Sequence, residues 1–295
     1  ALVHLGFLLL VIVFGAYVRV TGSGAGCGSH WPLCNGEVLP RTEQVKTMIE
    51  YTHRITSTML LLFSLFLMWV AFKLYPKGHG IRKVFYVYLG ILFVEILLGA
   101  SLVLLGHVAE NRSVYRGLTV SLHLVNTLML SGAAFLLYCY SKYTPAFVLR
   151  QKKLPVFIFV GGVCLIFLTG ISGAITALGD TLFPVVSMIE AISQSLSATE
   201  HLFVRFRIYH PFIAMFVSLY LVLSTWLLSW DKEDLRKYSS LMFGCFIGQT
   251  LLGYLNVYLH APIWIQLAHL LVAHGVWLLY LLFMVKYIAG NRFEL

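Results

Sequence analysis

Eight apolar runs of about 20 residues each restrict this chain to one architecture. A run of that length crosses a hydrocarbon core of roughly 30 Å as a helix, and a helix satisfies its own backbone polar groups where no water can. The runs are Leu2 to Val20, Thr47 to Phe72, Val84 to Leu105, Tyr115 to Tyr140, Pro155 to Leu178, His201 to Leu228, Tyr238 to Leu259 and Pro262 to Ile288. Alternating outer-membrane strands do not produce such runs. The 295 residues are 59% hydrophobic and 11% charged, with mean hydropathy +0.85, a balance foreign to a soluble domain. The expected class is all-α, a polytopic membrane protein with eight transmembrane helices. The first run lacks a cleavage site before Gly22 and begins without Met, so it reads as a retained helix from a trimmed start.

A net charge of +9 could suggest a polyanion partner, but its placement excludes nucleic acid. Lys73, Lys77, Arg82 and Lys83 fall between runs two and three; Lys142, Arg150, Lys152 and Lys153 between four and five; Lys232, Arg236 and Lys237 between six and seven; Arg292 trails the last. All these connections lie on one side. Opposite connections carry fewer cations, and Gly179 to Glu200 carries none. The positive-inside rule then gives a multi-pass protein of the inner or cytoplasmic cell membrane, surrounded by lipid, with both termini cytoplasmic.

Cys139, Cys164 and Cys245 fall within runs, where a lone thiol serves as a small apolar filler. Cys27 and Cys34 lie in the first outward connection, on the oxidising side, which favours a disulfide over a metal site. Such a bridge would close a loop of about eight residues and pin it by roughly 2 to 3 kcal/mol in the loop-entropy model. A redox-active pair is the alternative. The glycines from Gly15 to Gly28, with Trp31 and Pro32, make this connection a compact cap.

An internal repeat divides the chain near Lys152. Glu95-Ile96-Leu97-Leu98-Gly99 resembles Gln249-Thr250-Leu251-Leu252-Gly253, and Gly15-Ala16 resembles Gly173-Ala174. His53 matches His210 and His123 matches His269, at offsets of about 150 residues. Two four-helix units of the same orientation and pseudo-symmetric design are expected, residues 1–152 and 153–295.

The four matched histidines share one depth. Each lies about six to nine residues inside its run, or about 9 to 14 Å at roughly 1.5 Å per residue. Ionisable side chains at membrane depth are costly and mark function. A pair in each unit suits a planar macrocycle, with one imidazole on either side of iron, the arrangement that bundle cores give haem. Zinc would draw its ligands closer together, with cysteine or carboxylate among them. His4 and His79 are expected near the inner face, and His30, His107, His201 and His260 in or beside outward connections. His274 competes with His269 for the last ligand position, and the sequence leaves that choice open.

Glu50 precedes His53 by three residues and so shares its helix face. A carboxylate over a haem edge can stabilise a developing cation or relay a proton; a plain partner for Arg54 is the other reading. The matching position before His210 is Arg207, and Arg54, Arg205 and Arg207 are the candidates for haem propionates or the pocket wall. Glu95 and Gln249, polar in both units, read as structural hydrogen-bonding residues.

Gly15-Ala16-Tyr17-Val18-Arg19, Thr21-Gly22-Ser23-Gly24, Cys27-Gly28, Trp31-Pro32-Leu33-Cys34, Glu50-Tyr51-Thr52-His53-Arg54 and the stretch from Gly173-Ala174 to Gly179-Asp180-Thr181-Leu182-Phe183-Pro184 together resemble the haem A synthase family over essentially the whole chain. The resemblance implies an eight-helix oxidoreductase that converts the C8 methyl of haem O to the formyl of haem A by successive hydroxylations and loss of water. It implies substrate haem between His53 and His123, Glu50 aiding the chemistry, and a permanent haem b held through its iron by His210 and His269. It also matches Cys27 and Cys34 to the family's cysteine pair, while the second pair found in some members is missing from Gly179 to Glu200. Haem O synthase is the implied partner; the electron donor or acceptor goes unnamed, and a homo-oligomer is compatible with the sequence. Two functions from other classes fit the same histidines: a two-haem electron carrier, and a haem-delivery protein.

Overall fold

A computed structural model describes residues 1–41, 43–142 and 153–289. Arg150, Lys152 and Arg292, and with Lys152 the expected division between units, lie outside the described residues. The helices are α1 (Leu2–Val20), α2 (Val45–Leu74), α3 (Gly80–Leu104), α4 (Val114–Lys142), α5 (Lys153–Leu182), α6 (Met188–Leu196), α7 (Leu202–Phe206), α8 (Tyr209–Ser229), α9 (Glu233–Tyr258) and α10 (Ile263–Ala289). Among the described residues, eight spans are long and apolar enough to cross a membrane, with α7 and α8 together forming one of them. The protein is all-α and multi-pass, as its apolar runs dictate.

The chain forms two compact units, Ala1–Lys142 and Tyr143–Leu295. In the first, α1 packs on α2, α2 on α3, α3 on α4 and α4 back on α1, a closed ring of four. That ring sets α2 and α4 diagonally across the centre. In the second, α5 packs on α8, α8 on α9, α9 on α10 and α10 on α5, so α8 and α10 take the diagonal.

Van der Waals fit and interhelical hydrogen bonds, rather than exclusion from water, hold helices together in lipid. α4 is the most enclosed span, and its buried stretch runs through Ser121, Asn126, Thr127, Ser131, Gly132, Ala133 and Ala134. Small and hydroxyl-bearing residues let neighbouring backbones approach closely. Large side chains such as Leu62, Phe66 and Trp69 on α2, or Phe212 and Phe216 on α8, are exposed on the flanks.

Two local features go beyond the apolar runs. The sixth run is not one continuous helix: α7 ends at Phe206 and α8 begins at Tyr209. Pro211 has no N–H to offer the Arg207 carbonyl, and its ring crowds that carbonyl, which breaks the ladder at this point. The connection after α5 also contains a helix, α6, started by Ser187 Oγ accepting from Glu190 N at 3.2 Å while Glu190 Oε2 accepts from Val186 N at 3.0 Å.

His4, expected near the inner face, is 1% exposed because it shares the packed side of α1 with Leu5 and Leu8. Its Nε2 lies 2.9 Å from Ser64 Oγ and 3.1 Å from the Tyr88 hydroxyl. This closed polar triangle ties α1, α2 and α3 together. Cys139 is buried, but Cys164 is exposed on the flank of α5 rather than filling a core.

Candidate functional site

His53 projects from α2 and His123 from α4, on the diagonal of the first ring. His53 packs against Gly15 of α1: a methyl group there would meet its Cε1 at 3.1 Å. Phe14 meets the same ring edge-on at 5.7 Å between centroids. His123 packs against Gly99 of α3, where a methyl group would meet Cε1 at 3.7 Å. About 30% of the His123 side chain is uncovered. His53 Nδ1 is buried with no hydrogen-bond partner.

His123 Nδ1 lies 3.4 Å from Glu95 Oε1. The Asn126 amide donates to Glu95 Oε2 at 2.7 Å, and the Thr127 hydroxyl to Oε1 at 2.5 Å. Glu95 thus makes the structural hydrogen bonds that its sequence position suggests, and its carboxylate also lies beside His123. Its carboxylate faces a proposed ligand, and the spacing along the chain holds no sign of this because the two residues sit on different helices.

The second ring repeats the local packing. His210 stands in the first turn of α8, just past the break made by Pro211, and His269 on α10 lies across the diagonal. Gly173 of α5 backs His210, where a methyl group would meet Cε1 at 3.0 Å, and Gly253 of α9 backs His269 at 3.3 Å. Ser172 Oγ lies 2.9 Å from His210 Nδ1 and donates to Thr169 O at 3.0 Å. With its proton directed to Thr169, Ser172 accepts from Nδ1–H, which leaves Nε2 of His210 with a bare lone pair.

Gln249 Nε2 lies 3.2 Å from His269 Nε2 and donates to the His269 carbonyl at 3.1 Å. For His269 to bind a metal through Nε2, Gln249 must give up one neutral hydrogen bond, at a cost of about 1 kcal/mol. His274, the competing ligand, is 1% exposed, and its Nδ1 lies 3.1 Å from Leu270 O.

Glu50 is 3% exposed and bound from two sides. Cys27 N donates to Oε2 at 2.9 Å; Arg54 Nε donates to Oε1 at 3.1 Å, and Arg54 Nη2 reaches the same oxygen. Arg54 Nη1 in turn donates to His30 O at 2.7 Å and Leu33 O at 2.6 Å. Cys27 and Cys34 form a disulfide, and both are buried. The loop also docks through Thr47 Oγ1, which donates to Gly26 O at 2.7 Å. Gly26 lies so close to α2 that a methyl group would come within 2.6 Å of the Lys46 backbone, so only glycine fits.

The three arginines differ in what occupies them. Arg54 is committed to Glu50 and the loop. Arg207 pairs with Asp180 at 2.9 Å and donates to Gly179 O at 2.5 Å and to Phe183 O, which ties α7 to the end of α5. Arg205 instead lines a cavity of about 540 Å³ with Ser172, Ser195, Phe206, Tyr209 and Phe212.

These features fit haem. Each unit carries two imidazoles on its diagonal helices, and each ring is backed by a glycine. Among the described residues, no three His, Cys, Asp or Glu side chains gather in a metal-binding cluster.

A family model described as cytochrome oxidase assembly protein, COX15-CtaA, matches residues 1–281. The chain is similar to the protoheme IX farnesyltransferase of Thermus thermophilus, 45% identical over 275 residues, which are 92% of this chain and 45% of that protein. The protein of the same name from a second strain of that organism gives the same figures. The chain thus spans about half the length of these curated relatives. Heme A synthase of Bacillus cereus strain AH187 is 34% identical over 113 residues, 38% of this chain and 36% of that protein. With its family model matched from residue 1 to residue 281, this chain belongs to the COX15-CtaA cytochrome oxidase assembly family, the family of the haem A synthases.

Proposed function

We propose that this chain is a haem A synthase, oxidising the C8 methyl of haem O to a formyl group by successive hydroxylations and loss of water. The observation that carries this reading is that His53 and His123 in one unit, and His210 and His269 in the other, stand on diagonally placed helices and are each backed by a glycine. His53 and His123 hold the substrate haem. His210 and His269 hold haem b, which supplies one-electron redox chemistry when bound.

Glu50 lies one helical turn from His53 and sets its carboxylate, paired with Arg54, at that end of the substrate site. Cys27 N–H and Arg54 orient its carboxylate, and their hold leaves lone pairs to face positive charge that develops on the substrate. Ser172 holds the proton of His210 at Nδ1 and so turns Nε2 toward the cofactor. Arg205, on a cavity wall, is the arginine best disposed for a propionate; Arg54 and Arg207 support the pockets through the loop and α5.

The distribution of lysine and arginine supports both termini in the cytoplasm of a cell with an inner or cytoplasmic membrane. The name of the Thermus relatives supports a haem O synthase as the partner that supplies substrate.

A two-haem electron carrier is the second reading, favoured by the close engagement of Glu50 with Arg54, which a purely structural acid would share. Mass analysis of haem extracted after co-expression with a source of haem O decides between them. Hydroxylated or formyl haem is expected; unaltered haem alone would sink the enzymatic reading.

A further inference from the structure

His123 and His269 occupy matching places in the two units, on α4 and α10, backed by Gly99 and Gly253. The groups presented to them differ in kind. His123 Nδ1 faces the Glu95 carboxylate at 3.4 Å. His269 Nε2 faces the Gln249 amide nitrogen at 3.2 Å. One partner is an anionic acceptor, the other a neutral donor.

Two further donors hold Glu95 in place. Asn126 Nδ2 binds Oε2 at 2.7 Å, and Thr127 Oγ1 binds Oε1 at 2.5 Å. Asn126 also donates to the Ile91 carbonyl at 3.0 Å, one turn before Glu95 on α3. Donors converge on both oxygens, the pattern of a carboxylate built to accept. Gln249 is spent otherwise, because its amide nitrogen also donates to the His269 carbonyl.

We propose that Glu95 is a positioning residue for the first unit, fixing His123 with its proton on Nδ1 and its lone pair on Nε2, and making it a stronger electron donor to bound iron than His269. A hydrogen bond from an imidazole N–H to a carboxylate raises the basicity of the opposite nitrogen, and a more basic axial ligand favours the oxidised metal. Gln249 gives the second unit no such anion: its bond to His269 Nε2 is released when that nitrogen binds, and His269 Nδ1 has no hydrogen-bond partner. The haem of the first unit is therefore held at the lower reduction potential of the two, and an electron is more stable on the haem of the second. This inference rests on the bis-histidine reading given above.

The test is a redox titration, followed by absorbance, of the full chain loaded with haem, with His53→Ala and His210→Ala each removing one haem to assign the two potentials. Glu95→Gln, which copies the second unit's chemistry into the first, should raise the first-unit potential, leave the second unchanged and weaken first-unit haem retention by roughly 10- to 100-fold. Gln249→Glu should lower the second-unit potential. If Glu95→Gln keeps a six-coordinate haem at its original potential, the inference fails. If Glu95→Gln does not hold haem, Gln249→Glu decides, and an unchanged second-unit potential overturns the proposal. The underlying reading fails separately, if the unaltered chain shows no low-spin six-coordinate haem that His53→Ala or His210→Ala removes.

Discussion

The backbone N–H of Cys27 donates a 2.9 Å hydrogen bond to the carboxylate of Glu50, so the disulfide-closed loop and the acid one turn from His53 are mechanically one piece. Replacing Cys27 and Cys34 together by Ser should destabilise the first unit by roughly 2 to 3 kcal/mol, the entropy of the closed loop. It should also lower product yield, because Glu50 loses a fixed donor. A thermal melt in detergent and analysis of extracted haem check the two effects; an unchanged melt removes the stabilising role.

Glu50→Ala should keep haem in both units while product formation falls by at least about 100-fold, the usual loss when a preorganised charge is removed. Glu50→Gln keeps the acceptor for Cys27 N–H but weakens the grip of Arg54. It should retain the folded loop and still lose activity. Full activity in Glu50→Gln would assign the residue to loop structure alone.

The four glycines behind the histidines predict a graded series. Gly173→Ala and Gly15→Ala bring a methyl group to 3.0 and 3.1 Å from His210 and His53, tighter than the rings tolerate without shifting. Each should cost about 1 to 3 kcal/mol of overpacking and strip haem from its own unit. Gly99→Ala leaves 3.7 Å to His123 and should be nearly silent. Absorbance per protein is the measurement, and a reversed order would show that the glycines do not set ring position.

Arg207→Ala removes the ion pair with Asp180 and the bonds to Gly179 and Phe183 that tie α7 to α5. A loss of roughly 2 to 3 kcal/mol is expected, the range for hydrogen bonds to a charged group that leave buried acceptors behind. Haem should be lost from the second unit and kept by the first. Tyr88→Phe is the contrasting control: it deletes one hydroxyl of the His4 triangle and should cost about 1 kcal/mol with no change in either haem.

Much of the architecture is legible in the chain because one length rule governs it: an apolar run long enough to cross lipid has no choice but to be a helix. The cysteine pair is legible because both residues fall in one short connection between spans. α6 carries a local signal too, for Ser187 and Glu190 have the spacing of a helix start, though the apolar runs on either side of it dominate the pattern. Pro211 marks the break before Tyr209. What no spacing can reveal is partnership between helices. That Glu95 faces His123, that Arg54 is captured by the carbonyls of His30 and Leu33, or that His4 meets Ser64 and Tyr88 depends on how the spans turn about their axes.

Gly26 seats directly on the backbone of Lys46 and Thr47, with no space for even one added carbon. A clasp machined to that tolerance has nothing to close upon until the second span exists, so the segment translated earlier must wait for the one translated later. The cap of this unit therefore cannot be fastened before the second span is in place.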